Sequence, residues 1–253
     1  MALEAASVGK ERRAIVTGAA SGIGRAVAVR LLHEGASVLA VDIDGARLQE
    51  LAAKGCRTHV ADLADPAARE RLAEAAGEVD YLVNAAGIIL LKSIFDVSVD
   101  EWRKVQTINA ESIFFLCQKI GPRMRAGGAI VNLSSSSSKL ATTVEAAVYA
   151  ASKTTIQSIT RSFAYALAPR PVRVNAICPG IVDTPMQETV LDKVAVMRGT
   201  TAAELSAARN KTVPLGRASS PDECASLIWF LLSDESAYMT GQSINFTGGM
   251  VTW

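Results

Sequence analysis

Short, continuous apolar runs alternate with stretches of helical periodicity along the whole chain. The apolar runs are AIVTG (14–18), SVLAVDID (37–44), CRTHVADL (56–63), YLVNAAG (81–87), AIVNLSS (129–135), VRVNAICPG (172–180) and SINFTGG (243–249). Between them, residues 101–120 and 149–168 are the longest predicted helices. Strands that are apolar on both faces and separated by helices are typical of a parallel sheet covered on both sides. The pattern therefore predicts an α/β fold with a doubly wound, seven-stranded parallel sheet.

Length and composition indicate one globular domain. The chain has 253 residues, of which 49% are apolar and 20% charged, and no linker or internal repeat divides it. We therefore expect a single domain over residues 1–253. The net charge is +1 and the basic residues are scattered, so we expect no nucleic-acid partner.

The hydropathy pattern argues against membrane association. The segment MALEAASVGKERR (1–13) contains acidic residues and no long apolar core, unlike a signal peptide. The chain also lacks a run of about 18 uninterrupted apolar residues, the length of a spanning helix. We expect a soluble, cytoplasmic protein without a membrane partner.

The cysteines and histidines do not form a metal-binding pattern. Two histidines, His33 and His59, stand without nearby ligand-type residues, and the four cysteines are isolated. We expect buried free thiols in a reducing compartment, no metal site and no histidine-based triad.

The segment TGAASGIG (17–24), called the glycine loop below, joins the first predicted strand to the first helix. Its glycines, Gly18, Gly22 and Gly24, follow a G-x-x-x-G-x-G spacing. Glycines permit a tight turn and let the backbone approach a pyrophosphate, and the following helix N-terminus offers amide donors and a favourable dipole. The loop predicts a dinucleotide site, although an ordinary glycine-rich turn has the same composition.

Asp42 indicates which dinucleotide would bind. It closes the second strand, 18 residues after Gly24, where an acid binds the hydroxyls of the adenine ribose. A carboxylate there repels a 2′-phosphate, and the neighbours Ser21 and Ile43 supply no cation. The sequence predicts NAD rather than NADP, with a turn role for Asp42 as the alternative.

Two further segments flank this predicted site. Asp62 ends the third strand beside Leu63, where it would meet the adenine, and a helix cap is its alternative role. Residues 183–213 form a polar, helical insertion after the sixth strand. We expect about 184–213, called the lid below, to cover the substrate.

The chain resembles the short-chain dehydrogenase/reductase family over almost its whole length. The motifs that carry the resemblance are TGAASGIG, NAAG (84–87), Asn109, the serine strand, YAASK (149–153) and CPGIVDT (178–184). The resemblance extends to the branch of NAD-preferring polyol, sugar or 3-hydroxybutyrate dehydrogenases. It implies a Rossmann fold, a nicotinamide cofactor and a homotetramer.

The resemblance identifies Tyr149 as the general acid/base, with Lys153 as its partner. A free tyrosine has a pKa of about 10, and a nearby ammonium favours the phenolate. The two residues are spaced i, i+4 on one helix face, so they can pair. By the same resemblance, Asn109 holds a water that connects Lys153 to solvent.

The family's serine hydrogen-bonds the substrate oxygen, and two residues compete for this role. Ser135 fits the strand motif but lies 14 residues before Tyr149, one more than the commonest spacing. Ser136 has the commoner spacing but departs from the motif. We choose Ser135, because strand register fixes side-chain direction whereas loop length varies.

The remaining cofactor contacts come from strand ends that match the family motifs. The full predicted set is Gly18, Ser21, Gly22, Ile23, Gly24, Asp42, Ile43, Asp62, Leu63, Asn84, Ala85, Gly87, Tyr149, Lys153, Pro179, Gly180, Val182 and Thr184.

We expect oxidation of a secondary alcohol, or the reverse reduction, on a polyol, sugar or small hydroxy compound. A 3-oxoacyl-(acyl-carrier-protein) reductase is the alternative, which Asp42 disfavours, and a regulator without chemistry is disfavoured by the complete catalytic set. The residues that we expect to shape the pocket are Ile89, Lys92, Lys139, Glu145, Ala146, Met186 and the lid. Ala146 stands where the 3-hydroxybutyrate branch has a carboxylate-binding arginine; Lys92, Lys139 or Arg198 could replace that charge.

Overall fold

Seven parallel strands form one sheet in the computed structural model, which describes residues 12–141 and 143–253. The strands are β1 (Arg13–Thr17), β2 (Ser37–Asp42), β3 (Arg57–Val60), β4 (Tyr81–Asn84), β5 (Ala129–Leu133), β6 (Arg173–Pro179) and β7 (Ser243–Phe246). Their order is β3-β2-β1-β4-β5-β6-β7. The prediction of a seven-stranded parallel sheet is confirmed, and the order reverses between β1 and β4.

Helices cover both faces of the sheet. They are α1 (Gly22–His33), α2 (Gly45–Ala52), α3 (Pro66–Ala76), α4 (Val99–Gln106), α5 (Ser112–Ile120), α6 (Ala147–Leu167), α7 (Pro185–Arg198), α8 (Ala202–Asn210) and α9 (Pro221–Leu232). Successive strand residues point to opposite faces, so Ile15 and Val16 enter different cores. Val16 packs with residues of α1 and α9, and Ile15 packs with residues of α3, α5 and α6.

The strands end earlier than the apolar runs that predicted them. β4 stops at Asn84, and the backbone amides of Ala85 and Ala86 donate to Thr17 Oγ1 instead of to a neighbouring strand. The C-terminal residues of the predicted strands therefore form loops at the carboxyl edge of the sheet, where ligands bind in open α/β folds.

The helix predicted over 101–120 is interrupted. A π-helical turn at Thr107–Glu111 separates α4 from α5, and Asn109 lies within it. Such turns distort the regular i→i−4 ladder and are common at functional sites. Periodicity alone did not predict this change, because apolar spacing continues through the turn.

The lid is helical, as predicted, but it is not polar throughout. It contains α7 and α8, whose side chains Val190, Val194 and Leu205 form a small core of their own. Ile89 and Leu91, from the loop after β4, pack against this core. The lid therefore has a small apolar core of its own between α7 and α8.

Two other expectations concern the whole chain. In the described part, no helix is long and apolar enough to cross a membrane. The four cysteines are buried and free, as predicted, and burial raises the pKa of Cys117 and Cys224 to about 12. The single-domain prediction includes residues 1–11, which lie outside the described residues, and it stays a prediction.

We expect Leu82→Ala to lower the free energy of unfolding by about 2–5 kcal/mol, because Leu82 is fully buried at the centre of the sheet. Leu215→Ala removes the same atoms from a side chain that is 71% exposed and should cost less than about 0.5 kcal/mol. Urea unfolding of both variants measures the difference. Equal losses would contradict the central position of Leu82.

Candidate functional site

A cleft of about 920 Å³ lies at the carboxyl edge of the sheet, where the strand order reverses. This is the usual position of a ligand site in an open parallel sheet, and the volume is at the upper end of small-molecule sites. The glycine loop, the ends of β4, β5 and β6, the start of α6 and the lid form its walls.

The glycine loop forms one end of the cleft. Gly18 has φ +67°, and a Cβ added to it would lie 2.7 Å from the backbone nitrogen of Ala86. A Cβ at Gly24 would lie 2.1 Å from the carbonyl oxygen of Gly18. The loop therefore requires glycine at both positions, because backbone segments meet there without room for a side chain.

The first turn of α1, like those of α5 and α6, has no side-chain cap among the described residues. Side chains cap α2, α7 and α9, whereas the N-cap Ser21 makes no such hydrogen bond to any described residue. Ser21, Gly22 and Ile23 line the cleft. The amide donors and positive dipole end of α1 are consequently available to an anionic group.

Asp42 connects the second strand to the glycine loop. Its Oδ2 accepts from the backbone N–H of Ala20 at 3.0 Å, and its Oδ1 accepts from that of Asp44 at 3.0 Å. The turn role considered for Asp42 thus exists alongside its position on the cleft wall. At the surface of α1 and α2, Arg25 pairs with Glu50 and Arg47 pairs with Asp44.

Asp62 also lies on the cleft wall, together with Leu63. The helix-cap alternative for Asp62 is wrong, because Asp65 caps α3 by accepting from the N–H of Ala67. Asp62 instead accepts from the N–H of Ala64, which folds the loop after β3.

Tyr149 and Lys153 lie on the first turns of α6 and face the cleft. The ammonium of Lys153, which is 4% exposed, donates to the carbonyl of Leu133 at 2.7 Å and lies 5.4 Å from the centre of the Tyr149 ring. Ser135 lies just after β5; its Oγ accepts from the N–H of Ser137, and its hydroxyl lowers the pKa of Tyr149. Ser136 also lines the cleft but has no such effect on the pKa of Tyr149.

Burial dominates the titration of this pair. It raises the pKa of Tyr149, and the Ser135 hydrogen bond only partly offsets that effect. Burial also lowers the pKa of Lys153 to about 8, while nearby Cys178 raises it. Loss of water therefore disfavours the charged form of both groups in the absence of other charges.

Two predicted site residues lie beneath the cleft instead of on its wall. Asn109 is fully buried; its Oδ1 accepts from the N–H of Ile88, and its Nδ2 donates to the carbonyl of Ile88 and to Ser152. Asn84 donates to Asn132 in the core. The Asn109 amide thus fixes the backbone at Ile88, whereas the Asn84 amide links β4 to β5 through side chains.

The other predicted residues reach the cleft. Those on its wall are Gly18, Ser21, Gly22, Ile23, Gly24, Asp42, Ile43, Asp62, Leu63, Ala85, Gly87, Ser135, Tyr149, Lys153, Pro179, Gly180, Val182 and Thr184. Their proposed roles remain predictions. Among the described residues, no group of three or more histidine, cysteine or acidic side chains forms a metal site.

The lid end of the cleft contains both expected and unexpected side chains. Ile89, Ala146, Met186 and Arg198 line it as predicted. Lys92 and Lys139 do not; Lys92 pairs with Glu101, and Lys139 donates to Asn245 and to the carbonyl of Trp253. Glu145 is not on the wall but pairs with Arg198.

The sequence analysis did not single out Arg209 or Thr143, both of which line this end. Arg209 follows the buried Leu205 by four residues on α8, so it lies on the inward face of that helix. Helical spacing could have identified it once Leu205 was assigned to the lid core.

Comparison with known proteins supports the resemblance. A family model described as enoyl-(acyl carrier protein) reductase matches residues 18–251. The chain is 35% identical to 2-keto-3-deoxy-L-fuconate dehydrogenase of Xanthomonas campestris pv. campestris over 94% of this chain and 79% of the relative. It is 36% identical to D-threitol dehydrogenase of Mycolicibacterium smegmatis (93% and 91%) and 36% identical to a 3-oxoacyl-(acyl-carrier-protein) reductase of Thermotoga maritima (94% and 96%).

A solved structure of the same family has the same fold as this chain. A short-chain dehydrogenase family protein from Francisella tularensis superposes with a TM-score of 0.88 and 31% identity, over 95% of this chain and 99% of that one.

The depressed pKa of Lys153 predicts a pH-dependent contribution to stability. Between pH 8 and the unfolded value of about 10.4, the unfolded chain binds the Lys153 proton more tightly than the folded one. Stability from this group therefore rises with pH in that window. We expect the wild type to gain about 1–2 kcal/mol relative to Lys153→Met between pH 7.5 and 9.5, measured by urea unfolding.

The comparison with Lys153→Met isolates this contribution, because the buried thiols titrate in both proteins. Parallel stability curves over the whole range would show that the Lys153 pKa is not depressed.

Proposed function

Because this chain belongs to the short-chain dehydrogenase/reductase family of oxidoreductases, which uses nicotinamide cofactors, we propose that it is an NAD(H)-dependent dehydrogenase. It interconverts a secondary alcohol and a ketone on a polyol, sugar or small hydroxy compound. The observation that carries the proposal is that Ser135, Tyr149 and Lys153 share one cleft with the glycine loop and with the uncapped first turn of α1.

The residues of the cleft fit such a cofactor. Backbone packing excludes side chains at Gly18 and Gly24, and the free first turn of α1 suits a pyrophosphate. In the proposed arrangement, Asp42 and Asp62 bind the adenosine half, while Lys153 and the segment 179–184 bind the nicotinamide half. The nicotinamide ring supplies the hydride acceptor for oxidation and the hydride donor for reduction.

The side chain of Asp42 supports NAD over NADP. Each of its two oxygens accepts one backbone N–H. These bonds fix the orientation of the carboxylate and leave lone pairs free to accept from ribose hydroxyls. A 2′-phosphate would meet this negative charge, while Arg25 and Arg47 are engaged by Glu50 and Asp44.

Tyr149 moves the proton in the proposed reaction. During oxidation the alcohol loses its hydroxyl proton to the Tyr149 phenolate, while hydride leaves the carbon that bears the hydroxyl group. Reduction reverses both transfers. Ser135 binds the substrate oxygen and keeps it beside the phenol. Burial raises the pKa of Tyr149, so positive charge from Lys153 and from the oxidised nicotinamide is needed to form the phenolate.

Asn109 serves this chemistry indirectly in our proposal. A Cβ at Gly87 would lie 3.3 Å from Asn109 Oδ1 and 3.5 Å from Lys153 Nζ, so both side chains border the same backbone. Asn109 holds the loop after β4 against α6 through Ile88 and Ser152. The water-mediated relay from Lys153 to solvent remains part of the proposal.

Reduction of a 3-oxoacyl thioester is the second candidate. It is favoured by the identity to the Thermotoga maritima reductase and by the description of the matching family model. Asp42 argues against it insofar as such a reductase would use NADPH. The names of the sugar and polyol dehydrogenase relatives favour the first candidate.

The proposal extends to assembly and location. The family resemblance favours a homotetramer, which sedimentation would measure. Free, buried thiols agree with a reducing, cytoplasmic compartment.

We expect the protein to reduce NAD⁺, and not NADP⁺, in the presence of polyols, sugars or hydroxy acids, as followed by NADH absorbance. Asp42→Asn should weaken NAD⁺ use and relax the exclusion of NADP⁺, because the charge near the ribose is lost. Asp62→Asn, a second cleft carboxylate, is the control and should leave the NAD⁺/NADP⁺ ratio unchanged. Turnover of acyl-carrier-protein thioesters alone would favour the second candidate.

Tyr149→Phe should lower kcat by about 10²–10⁴-fold and leave NADH binding intact, because only the proton-transfer group is removed. Tyr165→Phe is the matched control: Tyr165 lies on the same helix, is 86% exposed and should retain full activity. Steady-state rates and NADH fluorescence titration provide the two readouts. Substantial residual activity in Tyr149→Phe would overturn the assignment.

A further inference from the structure

Two arginines of the lid line the cleft at the end opposite the glycine loop. Arg198 ends α7, and Arg209 lies in the last turn of α8. Thr143 and Ala146, just ahead of Tyr149, line the same end. The two arginines differ in how their charges are compensated.

The charge of Arg198 is matched within the protein. Its Nε and Nη2 donate to the two carboxylate oxygens of Glu145 at 3.2 and 2.9 Å. This bidentate hydrogen bonding lowers the pKa of Glu145, so the carboxylate is ionised at neutral pH.

The charge of Arg209 is not matched in this way. Its Nη2 donates to the hydroxyl of Thr143 at 3.1 Å, a neutral acceptor. Its Nη1 is buried and has no hydrogen-bond partner among residues 12–141 and 143–253. Burial and the charge of Arg198 lower the pKa of Arg209, yet a guanidinium stays protonated in proteins.

A buried, unpartnered donor on a cleft wall indicates an acceptor that a ligand provides. Leaving a charged donor unsatisfied is unfavourable, and most buried polar atoms in proteins do have partners. Here the unsatisfied atom belongs to Arg209, a residue that lines the cleft in which we propose that substrate binds.

The local charges indicate what kind of acceptor fits. Arg198, Arg209 and Glu145 together carry one net positive charge, which a monoanion neutralises. The acids on the cleft wall, Asp42 and Asp62, lie beside the glycine loop and β3. A planar carboxylate matches the fork of a guanidinium better than a point charge does.

We propose that Arg209, supported by Thr143, binds a carboxylate of the substrate, so that the preferred substrates are hydroxy acids, such as sugar acids, and not neutral polyols. The inference rests on the proposed function, because it assumes that the reacting alcohol lies at Tyr149. The apolar side chains Ile89, Val190 and Leu205 surround this end and strengthen the ion pair by excluding water.

Paired substrates test the inference directly. Each carboxylate, threonate or gluconate, is compared with the neutral alditol of equal chain length, threitol or glucitol. We expect the wild type to prefer the acid of each pair by at least about tenfold in kcat/KM. Arg209→Met, which keeps the bulk but removes the donors, should lower kcat/KM for the acids mainly through KM, and by a larger factor than for the alditols.

Two further variants separate charge from fold. Arg209→Lys keeps the charge without the fork and should recover only part of the preference. Arg217→Met removes an arginine that pairs with Glu223 outside the cleft, and it should behave as the wild type.

A binding readout keeps the inference separable from the proposed function. Melting of the NADH complex is followed with threonate and gluconate: stabilisation in the wild type that is lost in Arg209→Met supports the carboxylate site even without turnover. Equal responses of the wild type and Arg209→Met to the acids, in both melting and rate, overturn it. Efficient alditol oxidation by both proteins would then leave the proposed dehydrogenase intact and remove only the carboxylate site.

Discussion

The close approach of two backbone segments at the carboxyl ends of β1 and β4 is the constraint on which the site depends. Gly18 lies against Ala86 with no space for a side chain, and Thr17 Oγ1 accepts from two amides after β4. Because these strands are neighbours where the sheet order reverses, the contact sets the floor of the cleft. This contact fixes the positions of the segments around it, which are the glycine loop, the loop after β4 and the start of α6.

Much of this arrangement follows from local sequence patterns. The order of strands and helices can be predicted, because each apolar run by itself indicates a buried strand. The spacing of Tyr149 and Lys153 likewise places both on one helix face. The polar assignment of the lid was wrong because Val190 and Leu205 lie on different helices that meet only after the chain reverses.

Properties that depend on tertiary surroundings could not be predicted in the same way. The sequence predicts an acid/base pair, but the depth of burial decides the direction in which the pKa values of Tyr149 and Lys153 shift. Likewise, the partners of Asn109 and the missing partner of Arg209 depend on segments far away in sequence. Pair-specific geometry of this kind leaves no periodic signal in the chain.

The ion pair between Glu145 and Arg198 joins the lid to the segment just before Tyr149. Glu145 also holds the loop after β4, since its carbonyl accepts from the N–H of Lys92. The pair is partly exposed, and dissolved ions screen such interactions. Added salt therefore weakens this ion pair and, with it, the connection between the lid and the segment that begins α6.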